Sequence, residues 1–239
     1  MAKPLSTHSI TVFFPIFNDQ ETVESLVTKA LRVLTTLTAD YEILLIDDGS
    51  TDASGAIADR LAQTIKELRV IHHPNNQGYG AALRTGFSNA SKDLIFYTDG
   101  DGQYDVSELA LLAPLMTDGV DVVNGYKIER HDNTSRKISG AIYNNLAHRL
   151  FRLPISDVDC DFRLVRRSAI DRISLDSSSG AICVELIGKL SSAGCTFREV
   201  PVHHYSRPHG RSQFFTPRRV VQTLFDLCVL LLSASLSGS

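Results

Sequence analysis

The chain has 239 residues, of which 43% are hydrophobic, so it can bury the core of one large domain or two small ones. A formal net charge of -3 and an isoelectric point of about 6.2 give no basis for a general nucleic-acid binder, so any basic site must be local. The cysteines form no CxxC pair and lie in segments predicted to be buried, which indicates reduced core thiols rather than a zinc site or a disulfide framework. They are Cys160, Cys183, Cys195 and Cys228.

Strands and amphipathic helices alternate through the first half of the chain. We predict strands at 10–14, 42–46, 69–72 and 93–97, and helices at 21–38, 53–68 and 80–90. This order implies an α/β fold with a mostly parallel sheet, in which ligands bind at the carboxyl ends of the strands. Polar clusters fall at three such ends, at residues 15–19, 47–52 and 99–103. The pattern therefore predicts a ligand site at this edge of the sheet.

The second half is less regular, with predicted strands at 120–123, 162–165 and 197–202 and a predicted helix at 139–151. The apolar run 224–236 has 13 residues, fewer than the roughly 20 that span a bilayer. Because Arg218 and Arg219 precede it, we expect a buried final helix, an interfacial helix, or the start of a membrane region. The N-terminal segment 1–9 has no signal-peptide core. We predict a single domain at 1–215 and an amphipathic or apolar helix at 216–239.

The stretch TDGDGQYD, residues 98–105, follows the apolar strand predicted at 93–97. An EF-hand register is excluded, because Tyr104 lies where glycine is needed and Ala110 lies where the bidentate glutamate should be. In an extended segment Asp99 and Asp101 would project to the same side, where their carboxylates suit Mg2+ or Mn2+ bridging a diphosphate. For this segment alone, a solvated turn capping a helix near Val106 is an equal alternative.

Common nucleotide-binding motifs are missing. The chain has no GxxxxGK[ST] sequence, and PIFND rather than a Gly-rich turn follows the first strand, which argues against phosphate-loop enzymes and dinucleotide Rossmann sites. The GYG run at 78–80 is predicted to start a helix whose free N–H groups could face an anion. The histidines have no metal-ligand spacing, so structural or solvent-exposed roles are predicted for them.

Seven segments, in this order, resemble the nucleotide-sugar-dependent glycosyltransferases of family 2, and within it the polyisoprenyl-phosphate glycosyltransferases of the dolichol-phosphate mannose synthase type. They are FFPIFNDQETV, ILLIDDGSTDAS, NNQGYGAALRTG, YTDGDGQYD, VVNGYKIERHDNTSRKISGAIYN, DVDCDFRLVRR and EVPVHHYSRPHGRS. The resemblance runs from the first strand to about Phe215. It implies the GT-A fold, in which a Rossmann-like nucleotide-binding half is fused to an acceptor-binding half in a single domain.

The resemblance also implies a donor site and a metal site. A UDP- or GDP-sugar would be bound by a set of residues that consists of Pro15, Asn18, Asp19, Asp47, Asp48, Gly78, Lys127 and Ser212. The family usually has arginine at the position of Lys127. The DxD-type motif would place Mg2+ or Mn2+ on Asp99, Asp101 and Gln103, and sugar transfer would be a single displacement with inversion. The DDGS segment could equally be a turn with a helix cap at Ser50 or Asp52.

The resemblance favours a polyprenyl phosphate as acceptor, bound by Arg136 and Arg207, with the protein cytoplasmic and peripheral on the cytosolic membrane face. A phosphate is already anionic, whereas a hydroxyl acceptor needs a base, for which Asp159 and Asp161 are candidates. For a phosphate acceptor, Asp159 and Asp161 would orient the sugar or pair with Arg163. A structural Asp–Arg pair has nearly equal weight.

Glu185 occupies a position that matches the family but could simply pair locally.

The sequence leaves other functions open. A saccharide or protein hydroxyl is the alternative acceptor, while the lack of tryptophan disfavours processive polysaccharide synthases. A catalytically silent scaffold would be expected to have lost the acidic ligands, and all four are present: Asp47, Asp48, Asp99 and Asp101.

Overall fold

Seven strands form one sheet in the computed structural model, which describes residues 8–130, 149–151, 153–207 and 217–237. The strands are β1 Ile10–Ile16, β2 Tyr41–Asp47, β3 Leu68–His72, β4 Leu94–Thr98, β5 Val122–Arg130, β6 Phe162–Arg166 and β7 Phe197–His204. Their order across the sheet is β3-β2-β1-β4-β6-β5-β7. The first four in this order pair in parallel, as the alternation of strands and helices predicted. β6 runs antiparallel to both neighbours, and β5 and β7 pair in parallel.

Helices cover both faces of the sheet. They are α1 Val23–Leu37, α2 Ser54–Ala62, α3 Tyr79–Asn89, α4 Leu109–Leu112, α5 Arg167–Ile170, α6 Ile182–Ser192 and α7 Pro217–Ser237. Side chains of β1 alternate between two cores, with Val12 and Phe14 in one and Phe13 in the other. The central strands are therefore buried on both faces, which explains their continuous apolar sequence.

Two predicted elements have different limits in the structure. The helix predicted at 53–68 ends at Ala62, and turns at 63–64 and 66–67 lead into β3, whose pairing with β2 begins at Leu68. The strand predicted at 120–123 instead runs Val122–Arg130, because parallel pairing with β7 extends it. Lys127 therefore lies on β5 rather than after the end of the predicted strand. Most of the helix predicted at 139–151 lies outside the described residues.

The C-terminal helix α7 packs on the domain through one side. Leu227 is buried in the same core as Phe13, whereas Phe225 and Leu232 are 63% and 65% exposed. The prediction that all four thiols are buried is wrong for Cys228, which lies exposed on this helix, and right for the other three, which are buried and free. Within the described ranges, no helix is both long and apolar enough to cross a membrane.

Candidate active site

The loops that follow β1, β2 and β4 meet at the carboxyl edge of the sheet. Asn18 Oδ1 accepts the Thr51 N–H at 2.8 Å, and the Asn18 N–H donates to Ser50 Oγ at 3.0 Å. Asn18 has φ of 58°, a conformation that asparagine tolerates better than most residues. The Thr22 hydroxyl donates to the Gly100 carbonyl at 2.7 Å. These contacts bring the three predicted polar clusters together and hold their loops in fixed positions.

Asp47 anchors its own turn. Its Oδ1 accepts the Ser50 N–H at 2.9 Å, and its Oδ2 lies 2.8 Å from Nδ1 of His72. The other ring nitrogen of His72 lies 3.0 Å from Asp59, and the hydrogen bonds with Asp59 and then Asp47 raise the pKa of His72. Asp47 thus has a defined orientation, and its contact with a nucleoside stays a prediction.

Asp48 holds the loop that leads into α3. Its carboxylate accepts the Gln77 and Gly78 N–H groups, each at 2.9 Å, and lies 2.7 Å from Nδ1 of His73. His73 is buried and also hydrogen-bonds the Thr85 hydroxyl at 2.9 Å. α3 begins at Tyr79, as predicted, but the Gly78 N–H already donates to Asp48 rather than facing solvent for an anion. Donor contacts by Asp48 and Gly78 stay predictions.

Residues 99–102 form a turn after β4, so the assumption of an extended segment is wrong. Asp99 and Asp101 nevertheless lie close enough to interact. Burial, and then repulsion from Asp161 and Asp101, raises the pKa of Asp99 well above its usual range. At Gly100 a Cβ would lie 2.7 Å from Ile16 Cγ2 and from the Pro15 carbonyl oxygen, so only glycine fits.

The helix cap expected of a solvated turn is formed by a different residue of the same stretch. Asp105 accepts the Ser107 N–H at 3.2 Å and caps the short helix Val106–Glu108. Asp99 and Asp101 are free of that role. Pro15 is buried in β1 with its carbonyl oxygen beside Gly100, and its contact with a donor stays a prediction.

Each acidic side chain of the DxD turn has a defined partner. The Tyr79 hydroxyl donates to Asp99 Oδ1 at 2.7 Å. Asp101 Oδ1 accepts the Gln103 N–H at 3.0 Å, and its Oδ2 accepts Arg207 Nη2 at 2.6 Å. The Gln103 amide donates to the Tyr205 carbonyl at 3.0 Å, so a metal-ligand role for Gln103 stays a prediction. Arg207 lies directly against the acidic turn.

The donor chemistry of this turn fits a hard divalent cation. Two carboxylates lie together in a partly buried place, and repulsion between them favours a cation. Burial and the nearby Asp101 also raise the pKa of Asp19, to about 6. Among the described residues, no three His, Cys, Asp or Glu side chains are grouped as a complete metal cage. Mg2+ commonly takes one or two carboxylates and completes its shell with water and substrate phosphates, so a pair such as Asp99 and Asp101 fits this ion, and their role as its ligands stays a prediction.

A buried arginine lies beneath the acidic turn. Arg163 is fully buried and donates to Asn124 Oδ1 at 2.6 Å, to Asp161 Oδ1 at 3.0 Å, and to the Tyr97 hydroxyl. The Cys183 thiol also donates to Asp161, at 3.2 Å. The structural Asp–Arg pair is therefore present. It places the Asp161 carboxylate near Asp99, whose pKa it raises.

Lys127 and Asp159 lie beside this pair. The Lys127 ammonium donates to the Asp159 carbonyl at 2.7 Å and lies 3.9 Å from Asp157, and its side chain is only 10% exposed. Its positive charge partly offsets the rise in the pKa of Asp99, so the ammonium lies within electrostatic range of the acidic turn. Donor binding by Lys127 and a catalytic role for the Asp159 carboxylate stay predictions. Arg136 and Ser212 lie outside the described residues.

Sequence reasoning missed Tyr79 and the loop that supports it. The Gly80 N–H donates to the Ser178 carbonyl at 2.9 Å. Glu185 accepts the N–H groups of Asp176 and Ser177, each at 2.9 Å, and pairs with Lys189 at 2.6 Å. The local-pairing alternative for Glu185 is thus present in the structure. The one available signal for Tyr79 was an aromatic residue between two glycines at a helix start.

The sequence profile of glycosyl transferase family 2 matches residues 11–174. An undecaprenyl-phosphate 4-deoxy-4-formamido-L-arabinose transferase from Salmonella choleraesuis is 31% identical over 229 residues, which cover 95% of this chain and 68% of the relative. The matched residues of this chain include its DDGS and DxD segments, and the alignment with the relative covers nearly the whole chain.

Solved structures share the fold at lower identity. Glucosyl-3-phosphoglycerate synthase from Mycobacterium tuberculosis, in complex with Mn2+, UDP and phosphoglyceric acid, superposes with a TM-score of 0.67 at 19% identity, covering 94% of this chain and 81% of that one. A mannosyltransferase from Pyrobaculum calidifontis, in complex with GDP-Man and Mn2+, also has a TM-score of 0.67 at 19% identity, covering 92% of this chain and 64% of that one. At these identities the likeness establishes the GT-A fold that the sequence predicted.

Proposed function

The chain belongs to glycosyl transferase family 2, and we propose that it is an inverting enzyme that moves a sugar from a nucleotide-diphosphate sugar to a polyprenyl phosphate. One observation carries the proposal: Asp99 and Asp101 lie together where three strand-end loops meet. A relative at 31% identity is named as a transferase that acts on undecaprenyl phosphate, which supports the same class of acceptor.

We propose a UDP- or GDP-sugar as donor, since solved structures of this fold contain UDP or GDP-Man with Mn2+. Bound Mg2+ or Mn2+ supplies charge neutralisation for the leaving diphosphate. Asp99 and Asp101 would hold that ion. Asp47 and Asp48, fixed by backbone N–H groups and by His72 and His73, retain carboxylate lone pairs that can accept from nucleoside N–H and O–H groups.

The Asp161 contacts favour an anionic acceptor. A hydroxyl acceptor must lose a proton, so it benefits from a carboxylate base. Asp161, one of the two predicted bases, has its Oδ1 engaged by two donors, Arg163 and the Cys183 thiol, which leaves that oxygen poorly placed to take a proton from an acceptor. A phosphate needs only to be held in line with the sugar, and Arg207 beside Asp101 is suited to hold it.

We also propose that α7 lies on the membrane surface, which would place the protein peripherally on the cytosolic face. Its exposed side carries four apolar residues, which are Val221, Phe225, Val229 and Leu232. Arg218 and Arg219 precede this stripe in the sequence and suit an anionic lipid surface. This arrangement would bring the active site close to a lipid acceptor.

The double change Phe225→Glu and Leu232→Glu is expected to weaken binding to vesicles that contain anionic phospholipid. Burial of each apolar side chain contributes about 1.5–3 kcal/mol, so the loss should exceed about tenfold. Vesicle co-sedimentation measures the effect. The control is Leu111→Glu, which changes an apolar residue, 46% exposed, on α4 instead. Equal vesicle binding by the wild type and the double variant would contradict the role of α7.

Donor screening tests the proposed function first. Thermal unfolding is measured with UDP- and GDP-sugars, each with and without Mn2+. One nucleotide should raise the unfolding temperature, and more so with Mn2+, because ligands that bind only the folded state stabilise it. The stabilising sugar nucleotide is then incubated with a polyprenyl phosphate. Donor binding without any transfer to the lipid would count against the acceptor assignment.

A further inference from the structure

We propose that Tyr79 is a positioning residue that holds Asp99 in the orientation needed to bind the divalent cation. The inference rests on the proposed function, in which Asp99 is a metal ligand. It adds a residue, at the start of α3, that acts on the metal site through Asp99.

The contact itself is direct and specific. The Tyr79 hydroxyl donates to Asp99 Oδ1 at 2.7 Å. In the described part of the chain, this is the one hydrogen bond that reaches the Asp99 carboxylate. A partner that fixes one carboxylate oxygen restricts rotation of the group and leaves the other oxygen for a ligand.

Tyr79 is itself held on both sides by backbone contacts. The N–H groups of Gln77 and Gly78 donate to Asp48, and the N–H of Gly80 donates to the Ser178 carbonyl at 2.9 Å. A Cβ at Gly80 would lie 2.4 Å from the Ser177 carbonyl oxygen, so the helix start packs against this loop too closely for any side chain. The Tyr79 backbone is therefore fixed relative to the acidic turn.

The loop against which Gly80 packs is also anchored. Glu185, buried on α6, accepts the N–H groups of Asp176 and Ser177. Lys189 neutralises Glu185 at 2.6 Å. The contacts thus run without a break from α6 through the 176–178 loop to Tyr79 and Asp99. If Tyr79 only filled space, its hydroxyl would not need to lie at the end of this series of contacts.

Asp99 needs such a partner because its neighbours are acidic. Asp161 and Asp101 both repel its charge. Without a donor, the carboxylate would be expected to turn away from these groups. The Tyr79 hydroxyl, 2.7 Å from Asp99 Oδ1, opposes that rotation.

Tyr79→Phe removes the hydroxyl and keeps the ring. Mn2+ binding to the full chain, measured by electron paramagnetic resonance of free Mn2+, should weaken by about tenfold or more, as for other residues that orient metal ligands. Sugar transfer should recover towards the wild-type rate at saturating Mn2+. Tyr41→Phe is the matched control, because Tyr41 lies at the amino end of β2, away from the site.

Three outcomes overturn the inference. Unchanged Mn2+ affinity and unchanged transfer in Tyr79→Phe would show that the hydrogen bond does not position a ligand. The proposed function would still stand in that case if Asp101→Asn binds Mn2+ more weakly than the wild type. Unchanged Mn2+ affinity with lost transfer would mean that Tyr79 contacts substrate instead. No Mn2+ binding by the wild type would contradict both the inference and the metal role.

Discussion

An Asp101→Asn variant is expected to lose sugar transfer by about a thousandfold while it folds normally. The change removes a charge from one of the two carboxylates that fit the cation, and metal neutralisation of a leaving group supplies several kcal/mol of transition-state stabilisation. Asp101 is almost fully buried, and its size is nearly unchanged by the substitution. Transfer of labelled sugar, together with the thermal unfolding midpoint, measures the two effects separately.

Asp105→Asn is the matched control for this prediction. Asp105 lies in the same stretch, but it caps the helix at Val106–Glu108 and lies 3.7 Å from Lys29. We expect Asp105→Asn to change stability slightly and to change the rate of sugar transfer by no more than a few-fold. If Asp101→Asn keeps wild-type transfer, or loses no more than Asp105→Asn, the metal assignment is wrong.

Arg207→Gln is expected to raise the KM for polyprenyl phosphate by about ten- to a hundredfold with little change in donor binding. A charge-assisted contact to phosphate contributes about 1.5–3 kcal/mol, which corresponds to that range. The same variant should bind Mn2+ more tightly. Arg207 Nη2 now lies 2.6 Å from Asp101 Oδ2, so the guanidinium and a cation compete for one carboxylate.

The two effects of Arg207→Gln have opposite signs, which separates them from simple damage to the fold. Acceptor KM, donor affinity and Mn2+ affinity are measured on one preparation. Arg198→Gln is the control, because Arg198 is an exposed arginine on β7, the strand that leads to Arg207. Equal losses of donor and acceptor binding would argue against a phosphate role for Arg207.

Local sequence patterns were sufficient to predict the parallel half of the sheet, which consists of β3, β2, β1 and β4. The run 43–46 is continuously apolar because β2 is buried on both faces between β1 and β3. The extension of β5 to Arg130 depends on pairing with β7, about seventy residues later along the chain, so no local pattern could reveal it. At Gly125 a Cβ would lie 2.8 Å from Val202, a closeness that only the paired structure shows.

The acidic motifs were predictable, but their contacts were not. The DxD and DDGS segments were placed at strand ends from the period of the apolar residues alone. The Asp48 bonds to Gln77 and Gly78, and the Tyr79 bond to Asp99, join residues that are 20 to 30 positions apart in the sequence. Cys228 was wrongly predicted to be buried. An apolar helix at a surface has an exposed face that composition does not distinguish from its buried face.

The most direct test compares polyprenyl phosphate with the corresponding polyprenol as acceptor, using the stabilising sugar nucleotide and Mn2+. The proposed function predicts a glycosyl phosphate lipid from the phosphate and no product from the alcohol, because the proposal gives Arg207 the phosphate to hold and Asp161 Oδ1 is already paired with Arg163. Equal transfer to both lipids, or transfer to a hydroxyl acceptor alone, would contradict it.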